Sequence, residues 1–294
     1  MDVIATLIAA DRLSESDIRT ACDLLGDAGL PVRDQSWLDA GSACDLFVDA
    51  GAAQVRQLLE GRLPSVDVIV QPAGERARRL LVADMDSTMI TVECIDELAD
   101  FAGLKAEVAA ITERAMEGEL DFEAALTARV ALLEGLEAQA IDRCREERVR
   151  LTPGARTLVR TMKARGATTI LVSGGFTRFA EPVAAEIGFD RVVANRLEVA
   201  GGRLTGKASP PIVGAQTKRD TLVTAARDLA IPLEHTLAVG DGANDIPMLM
   251  IAGLGIAYRA KPAAREAADA VVDHGDLTAL LYAQGIPKAG WVSA

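Results

Sequence analysis

Two short acidic segments stand out in the chain: Asp84-Met85-Asp86-Ser87-Thr88, and Gly240-Asp241-Gly242-Ala243-Asn244-Asp245. If Asp84, Asp86, Asp241 and Asp245 share one crevice, they cannot all stay ionised unaided. Either some take up protons or a cation sits among them. Oxygen-only donors suit Mg²⁺, which keeps waters and shares its shell with a phosphate. No Cys/His cluster competes for zinc, because His235 and His274 are isolated and read as ordinary surface or cap residues. A carboxylate beside such an ion can attack phosphorus and form an aspartyl phosphate. A second carboxyl two residues on can protonate the leaving oxygen and then activate water. Ser87, Thr88 and the Ser173 of Ser173-Gly174-Gly175, with nearby backbone N–H groups, can cradle phosphate oxygens. Lys218 can offset the charge built up in transfer, although a lone helix lysine is as readily a solvated one. Each segment by itself reads first as a turn with helix caps; the chemistry needs them together.

An open parallel sheet would bring them together, since its crevice lies at the carboxyl ends of the strands. From Leu80 on, buried-strand runs alternate with helices. The strand candidates are Leu80–Ala83, Thr168–Val172, Arg191–Ala194, Thr236–Val239, Leu254–Ala257 and a short Ala270–Val272. Helices are expected at Thr177–Ile187, Thr217–Leu229, Asp245–Ile251 and Pro262–Ala268. This alternation predicts an α/β, Rossmann-like parallel sheet with helices on both faces. The helical stretch from Glu93 to about Arg150 is too long for a crossover and reads as an inserted helical cap. A second insertion, Leu197–Leu204 around Gly201-Gly202, reads as a β-hairpin.

Residues 1–72 read as a separate β-α-β-β-α-β unit, the ferredoxin-like pattern, with helix-start chemistry at Ser14-Glu15-Ser16-Asp17. Residues 73–79 read as a solvated linker whose three arginines form no binding patch, and residues 80–294 as the catalytic unit.

The totals exclude several classes. A net charge of −12 repels phosphate backbones, so no nucleic-acid partner is expected, and an anionic substrate needs a local positive site. Half the residues are hydrophobic and 3% aromatic, as suits helix-on-sheet layers. The four scattered cysteines read as reduced thiols of a cytoplasmic protein. No apolar run supports a signal peptide or a membrane span.

The segments 84–88, 173–174, Lys218 and 241–245 resemble the four motifs of the haloacid dehalogenase-like phosphatases, in order and at suitable intervals. Within that superfamily, DMDSTMITVECIDELA, MEGELDFEAALTARVALLEGL and LVSGGFT closely resemble the phosphoserine phosphatase family. The resemblance runs from about Arg79 to the C-terminus. It implies Asp84 as nucleophile, Asp86 as proton donor, and Lys218 as catalytic and phosphate-binding. Mg²⁺ would be held by Asp84, Asp241 and the main-chain carbonyl of Asp86, with Asp245 near by. Glu93 and Arg129 would take the amino and carboxylate groups of phosphoserine, and Met116 and Phe122 would close an apolar wall. Ser173, Gly174 and Asn244 would contact the substrate as well. From the residues alone, an internal Glu93–Arg129 salt bridge remains open, since Arg129 lies on or beside the Phe122–Leu126–Val130–Leu133 stripe and needs a carboxylate. The N-terminal unit resembles the ACT-like domains found ahead of this catalytic unit. That implies amino-acid binding or homodimerisation, against a purely structural appendage.

The expected activity is Mg²⁺-dependent hydrolysis of O-phosphoserine at the last step of serine synthesis. The alternatives are transfer of the phosphoryl group to another hydroxyl, such as homoserine, and a non-catalytic amino-acid sensor. Retention of both Asp84 and Asp86 argues against the sensor.

Overall fold

The computed structural model describes residues 2–293 except 117, 118 and 120, with the backbone alone at 115 and 116. The chain opens with β1 (Asp2–Ala9), α1 (Glu15–Asp27), β2 (Val32–Asp39), β3 (Ala43–Asp49), α2 (Ala52–Leu59) and β4 (Val66–Pro72). The expected Ser14 cap starts α1 through a reciprocal Ser14–Asp17 capping box. The four strands form an antiparallel sheet in the order β2-β3-β1-β4. Its helices cover one face, where Leu7, Leu25, Leu46, Val55 and Leu59 are fully buried.

β5 (Leu80–Ala83) begins the second sheet and is followed by the cap helices α3 (Cys94–Phe101), α4 (Lys105–Met116), α5 (Phe122–Ala131) and α6 (Gln139–Arg148). Then come α7 (Ala155–Ala164), β6 (Thr168–Phe176), α8 (Thr177–Ile187), β7 (Arg191–Ala200), β8 (Arg203–Ser209) and α9 (Ala215–Asp228). The chain ends with β9 (Thr236–Gly240), α10 (Ile246–Leu249), β10 (Leu254–Tyr258), α11 (Pro262–Ala267), β11 (Ala270–Val272) and α12 (Ala279–Ala283). The sheet order is β11-β10-β9-β5-β6-β7-β8, parallel except for the β7–β8 pair. Side chains alternate across β5: Leu81 and Ala83 join the layer that holds α7, α8 and α12, whereas Leu80 and Val82 join the layer of α9 to α11. That double burial explains the continuous apolar run at 80–83.

One expectation needs correction. The 73–79 segment is not a freely solvated loop. Arg76 donates to both oxygens of buried Asp45, at 3.1 and 2.7 Å, while Arg78 donates to Gln71 at 2.9 Å. The expected hairpin around Gly201-Gly202 is present, and it prolongs sheet strand β7 and backs the cap. Gly135 N–H donates to Leu204 C=O and Leu204 N–H to Leu136 C=O. The cap's stem is pinned by the Ile90–Leu151 bridge and by Thr152 N–H on Met89 C=O. Helix α7 was not anticipated, although Leu158, Val159 and Met162 give it an apolar stripe.

The two sheets are joined at buried Asp67 of β4. Its carboxylate accepts the backbone N–H groups of Asp273, His274 and Gly275 at 2.9, 3.1 and 2.7 Å. Asp67→Ala leaves these donors unsatisfied and is expected to cost about 3 kcal/mol. Chemical denaturation measures it, and a loss under about 0.5 kcal/mol, the scale of a surface substitution, would contradict the joint's importance.

Candidate active site

β9, β5 and β6 are neighbours in the sheet, so the three polar strand ends meet at one edge. Asp84 follows β5 directly, Asp241 follows β9, and Ser173 lies near the end of β6. Beyond Asp84 the chain makes one wide turn, closed by Ile90 N–H on Met85 C=O, with Ser87 in the left-handed region at φ 54°. Non-glycine residues held there are strained, and such strain gathers at functional sites. The turn is steadied where Ser87 Oγ donates to Glu93 at 2.7 Å.

Carboxylate oxygens of Asp84, Asp241 and Asp245 lie within 4.8 Å of one another, and all three residues are buried. Lys218 stands between two of them, with Nζ 2.6 Å from Asp84 Oδ1 and 2.7 Å from Asp245 Oδ1. It is fully buried, so it is no solvated helix lysine. Burial opposes its charge, but Asp84 and Asp245 outweigh that and hold its pKa above the usual value. Burial, then repulsion from Asp245, pushes the Asp84 carboxyl well up. Asp241 is raised to about 6 by burial and by the charges of Asp245 and Glu93. Asp245 also accepts the N–H groups of Asp241 and Gly242, at 3.1 and 3.0 Å. It lies so close to β9 that a Cβ at Gly240 would stand 2.3 Å from its Cγ, so only glycine fits there.

Three carboxylates against one ammonium leave surplus negative charge, and the donors are hard oxygens. Both facts suit a divalent cation such as Mg²⁺. Asp86 lines the same crevice, with its side chain turned from the three-carboxylate cluster. Its Oδ1 accepts Cys94 N–H at 2.9 Å and its Oδ2 accepts Ser173 Oγ at 3.2 Å. Burial and the charge of Glu93 raise its pKa to about 6, above the ordinary carboxylate range. Asp245, expected near by, is the third carboxylate beside Asp84 and Asp241.

Above this floor lies a cavity of about 90 Å³ bounded by Asp84, Asp86, Glu93, Arg129, Gly174 and Asn244. The cavity thus gathers most of the anticipated site residues. Phe122 and Leu126 add an apolar wall; the Met116 side chain lies outside the described residues. Glu93 and Arg129 form no salt bridge with each other. Among the described residues no carboxylate lies within 4 Å of the Arg129 guanidinium, whose Nε donates to Ala125 C=O at 3.3 Å. Lys261, not anticipated, also lines the cavity. Its N–H donates to Asp241 C=O at 2.9 Å, and its Nζ is 3.9 Å from Asp241 Oδ2. Its position just beyond β10, the next strand end along the edge, was the available signal.

The haloacid dehalogenase-like hydrolase family model matches residues 81–250. A phosphoserine phosphatase of Streptomyces coelicolor is 49% identical over 207 residues, covering 70% of this chain and 50% of that protein. The chain therefore spans about half the length of that relative. A crystal structure of a haloacid dehalogenase family hydrolase from Salmonella enterica serovar Typhi is 33% identical, with a TM-score of 0.84. That likeness covers 96% of this chain and 97% of that one. A substrate-bound phosphoserine phosphatase complex is 40% identical with a TM-score of 0.65, over 70% of this chain and 97% of that one. With the motif residues converging as described, the chain belongs to the haloacid dehalogenase-like hydrolases.

Proposed function

We propose that the protein is a Mg²⁺-dependent phosphatase that hydrolyses O-phosphoserine to serine and phosphate in the cytoplasm, at the end of serine synthesis. One observation carries this reading. Among the described residues Arg129 has no carboxylate within 4 Å and Glu93 no basic partner, and both overlook a floor holding the Asp84–Lys218–Asp245 cluster. Opposite charges set apart above a phosphate site match the carboxylate and ammonium of a phosphorylated amino acid. The substrate-bound phosphoserine phosphatase named above supports the same class.

In the proposed mechanism Lys218 and Met85 N–H hold one oxygen of Asp84, at 2.6 and 2.7 Å, leaving the other to attack phosphorus. The phosphorus–serine oxygen bond breaks as the aspartyl phosphate forms. Asp86, whose raised pKa keeps it partly protonated near neutrality, gives its proton to the departing serine oxygen. It then takes a proton from the water that attacks the phosphoenzyme, releasing phosphate and restoring Asp84. Ser173, Gly174 and Asn244 would bind the substrate around the phosphate, and Lys218 would offset its charge. Asp84, Asp241 and the main-chain carbonyl of Asp86 would hold Mg²⁺, with Asp245 beside them; the bound ion would neutralise phosphate and carboxylate charge together.

The N-terminal 1–72 unit fits an ACT-like role, supported by its β-α-β-β-α-β order and antiparallel sheet.

Asp84→Asn preserves volume and removes the nucleophile, so turnover of phosphoserine should fall on the order of 10⁴-fold or more. Wild-type rates in that variant would refute the assignment. Arg129→Ala should lower kcat/KM for phosphoserine roughly 100-fold but that for phosphoethanolamine, which lacks the carboxylate, under about threefold. Equal losses on the two esters would remove Arg129 from substrate recognition. Mg²⁺ should raise the melting temperature and EDTA should reverse the rise and silence turnover; full activity in EDTA would exclude the metal.

A further inference from the structure

Strands β6 and β7 run in register up to Ser173 opposite Ala194, yet the next pair is Phe176 opposite Asn195. Gly174 and Gly175 are therefore extra residues, looped out of the ladder onto the cavity. A carbonyl lifted out of its ladder needs a new partner. Asn195 provides it, as its Nδ2 donates to Gly174 C=O at 2.8 Å. The same amide donates to Val213 C=O at 3.4 Å, and its Oδ1 accepts Val213 N–H at 2.8 Å. Only one orientation of the amide satisfies all three contacts. Asn195 is 1% exposed, so water cannot replace them.

Val213 precedes Gly214, whose carbonyl accepts the Lys218 N–H at 3.1 Å at the start of α9. One buried amide thus joins the looped-out glycines to the helix that carries Lys218. The cap also rests on both ends of this tie. A Cβ at Gly174 would stand 3.1 Å from Phe122 Cζ, and one at Gly214 would stand 3.4 Å from Phe122 Cδ1.

We propose that Asn195 is a positioning residue that locks the Ser173–Gly175 loop and the start of α9 into one phosphate-binding frame. It acts through Gly174 and Lys218 and touches no substrate. The inference rests on the reading of this cavity as the phosphoserine site.

Asn195→Asp keeps the size and the acceptor for Val213 but turns an oxygen toward two carbonyls. For this variant kcat on phosphoserine should fall about tenfold or more, as expected when reacting groups shift slightly. Calorimetry should show affinity for inorganic phosphate falling about tenfold, with L-serine, held from the cap, changing under about threefold. A purely structural role would weaken both ligands alike; that result, or no change in either, overturns the proposal. Should the variant unfold, hydrogen exchange on the wild-type protein decides. The Val213 amide, although outside the sheet, should exchange as slowly as the amides of β6, and exchange at a surface-loop rate overturns the tie. Failure of the wild-type protein to release phosphate from phosphoserine would refute the functional reading separately, while the exchange result still decides the tie.

Discussion

Three buried carboxylates around one buried ammonium set the terms for the rest of the molecule. Taking charges of this kind out of water costs several kcal/mol each unless partners are fixed in place. Lys218 answers part of that cost, with contacts of 2.6 and 2.7 Å to Asp84 and Asp245. Two backbone N–H groups on Asp245 and one on Asp84 answer more. The remainder stays as net negative charge beneath the cavity, which is what makes a hard divalent ion the natural complement. A phosphate could then approach a chain whose overall charge of −12 would otherwise repel it.

The cap adds selectivity to this reactive floor. It hangs from a stem pinned at Ile90–Leu151 and is backed by the β7–β8 hairpin, so its inner face is held over the crevice by backbone hydrogen bonds on two sides. That face brings Phe122, Leu126 and Arg129, while Glu93 stands where the cap leaves the core. Among the described residues no carboxylate ion-pairs with this guanidinium, which sits on the cavity wall beside buried Leu126 and Val130. In the proposed function that guanidinium is the partner for the carboxylate of an amino-acid substrate.

Strands β5, β9 and β10 were legible because burial on both faces leaves unbroken apolar runs, and helix α8 matched its expected bounds at Thr177–Ile187. The aspartate pairs were legible because their spacing has few other uses. What escaped depended on contacts distant in sequence. The 73–79 arginines looked solvated because nothing local reveals that Asp45, on β3, lies beneath Arg76. Asn195, one residue beyond the expected Arg191–Ala194 strand, drew no notice, since only a two-residue slip in the neighbouring strand gives its amide a task. Nor could the sequence show that Cys94 N–H and Ser173 hold the Asp86 side chain, since the turn and β6 bring those partners to it. Lys261 was hidden by its own exposure; it matters only through the strand end it follows.

Covalent transfer to Asp84 is the central claim. Mixing the Mg²⁺-loaded protein with phosphoserine, quenching in acid within milliseconds and mapping the modified peptide tests it most directly. The account predicts one phosphoryl group, labile to hydroxylamine, on the peptide containing Asp84 and at that residue. Active enzyme that shows no acyl phosphate there, or carries it on another residue, would contradict it.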